Sequence, residues 1–281
     1  MVQVFSRIDQ LREHLKTVRN AGRSLGFVPT MGALHDGHIS LVERCVAEND
    51  YTIVSIFVNP TQFNDKNDLK NYPRMPEKDL KMLEGAGANA VFMPDESEIY
   101  PEPDNRVFDF GMLDKVMEGK FRPGHFNGVA QVVSKLFDIV EPHKAYFGQK
   151  DYQQLAIIRE MVKQLGYKIE IVGCPIVREA DGLAMSSRNL LLSPEHRKSA
   201  PLIYKTLQEA RNKMDELSVK QMIDWVENQI NADPNLKIEY FELVDTNTLL
   251  PVDSWNHSGG IIGCIAVWAG SIRLIDNLIF K

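Results

Sequence analysis

The sequence has 281 residues, 44% of them hydrophobic and 25% charged, which suits a globular protein with one large core or two modest ones. Its 32 basic and 38 acidic side chains give a net charge of −6, so it has no bulk attraction to nucleic acid or anionic membrane, while a local basic pocket for phosphate stays open. Its three cysteines, Cys45, Cys174 and Cys264, are far apart and form no CxxC or zinc spacing, so each is expected as a small buried apolar residue rather than a disulfide or metal ligand.

The opening stretch, MVQVFSRIDQLREHLKTVR, is amphipathic and charged and lacks the continuous apolar core of a signal peptide. No run reaches the ~18 apolar residues that span a bilayer, so the expected location is the cytoplasm. LGFVPT (25–30) reads as a short buried strand, followed by a helix from about Asp36 to Glu48. TIVSIFV (52–58) is a β-branched run of strand length, a proline-bounded helix covers 76–87, and NAVFMP (89–94) is a third strand. Apolar residues at helical spacing occupy 128–140. Then come a strand at 145–148, a helix at 153–166 and a strand at 168–174. Such alternation predicts an α/β, Rossmann-like parallel sheet domain over residues 1–175. The long connections 59–75 and 94–127 are rich in Pro, Asn, Asp and Gly, as functional loops often are.

Beyond Pro175 the pattern changes. Ser193-Pro194 starts a helix expected over 194–215, a second helix covers 218–231, and strands follow at 238–245, 260–270 and 273–280. Helices followed by strands predict a smaller α+β domain over 176–281. The GAGANA segment (85–90) matches a loose dinucleotide pattern, but it lies after a helix and before a strand, the reverse of the required order.

The segment TMGALHDGH (30–38) leaves a buried strand and enters a helix. That setting suits phosphate: backbone N–H groups and partial positive charge at the helix start, with Gly32 and Gly37 allowing close approach. His35 and His38, three apart, can project from one side of the first turn and donate to phosphate oxygens. An isolated HxxH more often caps or packs its turn, and zinc is disfavoured because no third ligand stands nearby.

Strand, glycine, HxGH and helix in that order resemble the HIGH signature of the nucleotidylyl-transferase superfamily, with Met185-Ser186-Ser187-Arg188-Asn189 matching its second, mobile phosphate motif. Together with FVNPTQF (57–63), NYPR (71–74), RPGHFNGV (122–129) and FGQKDYQQ (147–154), the set resembles the pantothenate synthetase (pantoate–β-alanine ligase) family. The resemblance runs in order over most of the first 190 residues.

It implies an ATP-dependent ligase of pantothenate biosynthesis. Pantoate attacks the α-phosphate of ATP to give pantoyl adenylate and pyrophosphate, and β-alanine then displaces AMP. It implies a catalytic set of His35, His38, Lys150, Ser186, Ser187 and Arg188. The ATP site would also take Thr30, Met31, Gly32, Gly37, Gly148, Asp151 and Met185. Pantoate would meet Gln62 and Gln154, with Asn59 and Arg122 as secondary contacts, and Gln62 would also meet β-alanine. Gln153 is less suited than its neighbour, because adjacent helical residues point in different directions; His125 reads as a cap or core residue. Mg2+ should accompany ATP, with Asp79 as the one acidic side chain near enough in motif to consider and no protein ligand set assigned. A homodimer is the further implication. Two other readings share the cradle: a nucleotidylyl transferase that leaves the nucleotide on its product, and a nucleotide-sensing module without turnover.

Overall fold

Runs of β-branched, aromatic and small residues build a six-stranded sheet with every pair parallel: β1 (Gln3–Phe5), β2 (Leu25–Thr30), β3 (Tyr51–Ile56), β4 (Ala90–Phe92), β5 (Lys144–Gly148) and β6 (Glu170–Cys174). The computed structural model describes residues 2–63 and 66–281, with the side chains of 66–68 excepted, so residues 64 and 65 of the 59–75 connection lie outside it. The strand order is β1-β4-β3-β2-β5-β6. From β2 the chain proceeds outward through β3 to β4, then restarts on the other side of β2 with β5 and β6. The order therefore reverses between β2 and β5, and the crevice at their carboxyl ends is where such sheets bind ligands.

Both faces of this sheet are covered, which explains why the strands read as continuous apolar runs rather than alternating ones. On one face the helix Asp36–Glu48 lays Leu41, Val42 and Cys45 against Val28, Val54, Val91 and Tyr146. On the other, Phe27 meets Phe137 of the helix His125–Val140 edge to face, at 6.3 Å between ring centroids. The N-terminal strand β1 and the helix Ile8–Asn20 extend the predicted pattern, the helix burying Leu11, Leu15 and Val18. The GAGANA segment is the turn between the helix Pro76–Gly85 and β4, with Gly87 at φ +83°.

A second sheet is antiparallel, β7 (Leu236–Asp245), β8 (Ile261–Ala269) and β9 (Ile272–Ile279) in that order. Helices Leu202–Asn212 and Val219–Asn231 bury Leu207, Ala210, Met222, Val226 and Ile230 in a core shared with Phe241, Leu243, Ile265 and Val267. The α/β fold class with a smaller α+β part is as expected. The single helix predicted over 194–215 is instead two, Pro194–Ser199 and Leu202–Asn212, parted at Pro201, which has no N–H to continue the first.

The chain divides into two compact units. The first holds residues 1–110, 122–149 and 154–175; the second holds 111–121, 150–153 and 176–281. A single cut after residue 175 therefore misplaces two earlier segments. The second unit holds 111–121 because Arg273 pairs with both carboxylate oxygens of Glu118, at 2.7 and 2.6 Å, and Tyr240 donates to the same group at 2.8 Å. It holds Lys150 through Asn277, whose amide donates to the Lys150 carbonyl at 2.9 Å. Among the described residues no helix is long and apolar enough to cross a membrane.

Candidate active site

The turn between β2 and the helix Asp36–Glu48 is held almost entirely by its own neighbours. Thr30 Oγ1 donates to the Ser55 carbonyl at 2.7 Å and accepts from Gly32 N–H at 3.2 Å. Ala33 and Leu34 N–H donate to the two oxygens of Asp79, at 2.9 and 2.8 Å. Gly37 N–H donates to His35 Nδ1 at 3.1 Å and His35 N–H to His38 Nδ1 at 3.4 Å, a reciprocal cap on the helix. Two expectations change here. The backbone N–H groups of Gly32, Ala33, Leu34, His35 and Gly37 are committed within the protein, so the cradle is not an open row of main-chain donors. Asp79, considered as a metal contact, is only 1% exposed and binds the loop itself.

The capping role of the histidines leaves room for the expected ligand role, because it fixes the tautomer of each ring. In each ring Nδ1 accepts a main-chain N–H, so a neutral ring must carry its proton on Nε2. The rings lie 4.0 Å apart between centroids, side by side at the mouth of the helix and partly exposed. They therefore carry two N–H donors of fixed tautomer where the helix dipole already favours an anion.

Gln62 ends the 3-10 turn Pro60–Gln62, and its side-chain amide donates to Met31 Sδ at 3.2 Å. The structure thus brings together residues assigned from separate motifs. Asn59, 1% exposed, positions this amide: its Nδ2 donates to Gln62 Oε1 and to the Gly128 carbonyl, both at 3.1 Å. Its Oδ1 accepts from Tyr100 at 2.9 Å and from Thr61 at 3.1 Å. Burial pushes the Tyr100 phenol above its ordinary value, which keeps the proton that Asn59 accepts. All four hydrogen-bonding positions of Asn59 are filled, so it acts on the site through Gln62.

The RPGHFNGV segment supports the same turn. His125 lies 2.8 Å from the Gln62 carbonyl, which can only accept, so Nδ1 carries the proton; Nε2 then accepts from Arg122, at 3.2 Å. Gly128 lies against the turn so closely that a Cβ there would stand 2.4 Å from the Thr61 carbonyl oxygen. Arg122 accordingly enters as the outer member of a chain that ends on Gln62. At the end of β5, a Cβ on Gly148 would meet nothing within 4 Å, so space is open there. Gln154 is half-buried and its amide makes no hydrogen bond among the described residues. Gln153 is buried and commits its amide to Leu113 and Val116 carbonyls and Glu118 N–H, at 2.7, 2.8 and 2.9 Å.

The remaining assigned residues belong to the second unit. Lys150 is partly exposed and Asp151 exposed. Met185 and Ser186 leave a small hairpin bridged between Arg178 and Ala184, and Ser186 Oγ caps the 3-10 turn Ser187–Leu191 by accepting from Arg188 N–H at 3.3 Å. Ser187 is buried and Arg188 partly exposed. Arg178 braces this hairpin: it pairs with Asp276 at 2.6 and 2.9 Å, holds the Gly182 carbonyl at 3.1 Å and lies 3.4 Å over the Tyr204 ring. Neighbouring Asn277 is the residue that holds the Lys150 carbonyl. One stretch of β9 thus supports both Lys150 and the base of the Ser186–Arg188 loop. Sequence reading passed over it, because nothing in RLIDNLIF marks two residues of a strand as supports for loops far away in the chain.

Among the described residues no group of three or more His, Cys, Asp or Glu side chains is placed to hold a metal ion. The pantoate-beta-alanine ligase family model matches residues 3–279. A pantothenate synthetase of Bacteroides fragilis strain YCH46 is 56% identical over 280 residues, covering 100% of this chain and 99% of that protein. One of Porphyromonas gingivalis strain W83 is 53% identical, covering 100% of both. The crystal structure of pantothenate synthetase from Thermus thermophilus superposes with a TM-score of 0.93 at 44% identity, over 100% of both chains. Pantoate-beta-alanine ligase from Francisella tularensis, complexed with beta-gamma ATP and beta-alanine, gives 0.82 at 34% identity, over 100% of this chain and 98% of that one.

Proposed function

The chain belongs to the pantoate–β-alanine ligase family, and from that membership we propose how it runs the reaction. Pantoate's carboxylate is a poor acyl donor to an amine, because the oxygen that must leave is a bad leaving group. Attack of a carboxylate oxygen on the α-phosphorus of ATP, with loss of pyrophosphate, converts it to pantoyl adenylate. The amine of β-alanine then attacks the acyl carbon, and AMP leaves as the amide of pantothenate forms.

The observation that carries this reading is the meeting of Gln62 with Met31 in the loop of His35 and His38. A group that both donates and accepts, suited to a ligand with a carboxylate and two hydroxyls, lies against Met31, in the same loop that leads into two phosphate donors of fixed tautomer. His35 and His38 donate from Nε2 to oxygens around the α-phosphorus, where charge builds in the transition state, and His38 acts as an acid. Gln62 and Gln154 orient pantoate, Gln62 also faces β-alanine, and Asn59, Arg122 and His125 hold Gln62 in place. Thr30, Met31, Gly32, Gly37, Gly148, Asp151 and Met185 frame the nucleotide. Lys150, Ser186, Ser187 and Arg188 neutralise and grip the departing pyrophosphate.

Mg2+ enters with ATP, held by the nucleotide's own phosphate oxygens and water, since the described residues form no group of three carboxylate, His or Cys side chains for it. Homodimerisation is part of the proposal and is read by light scattering, as twice the chain mass of 31.9 kDa.

The test is incubation with ATP and pantoate, with and without β-alanine. The expected result is pantoate-dependent exchange of pyrophosphate into ATP without the amine, and AMP with the amide when the amine is added. Pyrophosphate release with the nucleotide left on the product, and neither AMP nor amide, would reject the ligase in favour of a nucleotidylyl transferase. Nucleotide binding with no turnover at all would leave a sensing module.

A further inference from the structure

The loop before His35 has the backbone shape of an anion site, yet the anion it faces is already part of the protein. Gly32 at φ +80° and Ala33 at φ +49° are consecutive left-handed residues, and the amides that follow, those of Ala33 and Leu34, turn toward one side. Successive N–H groups of a turn that converge on one point, as these do, form a concavity that elsewhere takes up phosphate. Here each meets its own oxygen of Asp79, whose carboxylate comes from the first turn of the helix Pro76–Gly85. At 1% exposure that carboxylate has lost its water, and the two amides with the dipole of its own helix compensate for the loss. Gly32 is packed against the same group: a Cβ there would lie 3.1 Å from Asp79 Oδ2 and 3.0 Å from Ile56.

We propose that Asp79 is a positioning residue that fills the loop's own anion nest, so that phosphate recognition passes from the main chain to Nε2 of His35 and His38. The proposal rests on the reading of this loop as the ATP cradle. Without the carboxylate, two converging donors would be free to draw a phosphate oxygen down into the loop, away from the rings. With it, Ala33 and Leu34 are fixed immediately before His35, and His38 follows because its Nδ1 accepts from His35 N–H. A side chain that neither contacts nucleotide nor holds metal thereby sets where the α-phosphorus rests.

Two measurements test this. In the unsubstituted full-length protein labelled with nitrogen-15, ATP titration should move the ring Nε2 resonances of His35 and His38 while the Ala33 and Leu34 amide resonances stay in place. If the amides move and the rings do not, the main chain binds phosphate and the proposal is wrong. The second uses Asp79→Asn, which keeps the size but turns an NH2 group toward one of the two donors. It should lower the rate of pantoate-dependent pyrophosphate exchange about tenfold to a hundredfold, as expected for a small misplacement of catalytic groups. It should displace both amide resonances and leave the Mg2+ concentration for half-activation within about twofold of the parent's. Normal exchange at saturating Mg2+ with a large rise in the Mg2+ requirement would make Asp79 a metal ligand instead. Absence of exchange in the parent protein would sink the ligase reading alone, because the ATP titration still decides where phosphate sits.

Discussion

Each histidine of the HxGH turn works through two nitrogens with different duties. Nδ1 closes the helix end and fixes the tautomer; in the proposed reaction Nε2 is the donor to phosphate. His38→Ala should therefore cut adenylate formation about a hundredfold or more, as for loss of a preorganised transition-state donor, measured by pyrophosphate exchange. A drop of only twofold would assign the histidine to capping alone. His38→Asn offers a control, since its side chain preserves a short acceptor for the cap without a donor at the distant ring position; it should fold normally and stay inactive. At this scale the sequence pointed to candidate residues but not to the contacts each one makes. HxGH announced the histidines, but Asp79 was legible only as an acid in a motif, because its partners are main-chain amides 45 and 46 residues away.

Among elements, the contact that fixes the turn proposed to meet pantoate is between the helix His125–Val140 and the turn Pro60–Gln62. Gly128→Ala would drive a methyl group onto the Thr61 carbonyl, a backbone atom that cannot swing away. The turn must shift and carry Gln62 with it, so steady-state kinetics should show the KM for pantoate rising about tenfold while the KM for ATP changes little. In the second unit, the ion pair of Arg178 and Asp276 holds the hairpin that leads into Ser186–Arg188. Removing one partner of a buried pair costs about 3–5 kcal/mol, so Asp276→Ala should lower the denaturation midpoint strongly. Replacing both residues with apolar ones of similar size should recover much of that loss while leaving the loop's function impaired. The strands and long helices were readable because burial on both sheet faces writes itself as apolar runs, and the site loops because their motifs are dense. The break at Pro201 and the supports in β9 were not, since each depends on what packs alongside.

For the whole molecule, stability at low pH has a named contributor. Thr248 N–H, followed by His257 and other local donors, holds the Asp245 carboxyl down at about 2. A carboxylate whose folded value lies below its unfolded one stabilises fully above the usual carboxylate range near pH 4, and that contribution is lost as pH falls toward about 2. Urea midpoints should thus fall more steeply with acid in the parent than in Asp245→Asn. The assignment of Lys150 and Ser186–Arg188 to the second unit adds a prediction about motion. If these groups close on pyrophosphate and shield the acyl adenylate from water, small-angle scattering should show a smaller radius of gyration with ATP and pantoate bound than without. An unchanged radius would restrict the movement to local loop ordering.

The course of the chain has an engineering consequence. Because it passes between the two units five times, neither unit is a continuous cassette that can be cut out or swapped at one junction. A fragment starting at Ile176 would contain Arg273, Tyr240 and Glu239 but not Glu118, leaving the guanidinium one of its two carboxylate partners and the Tyr240 hydroxyl without the acceptor encoded well upstream. Chimeras between relatives would have to exchange 111–121 and 150–153 together with the C-terminal part. A recombination map that respects these small insertions should retain folding where a single crossover after residue 175 loses it.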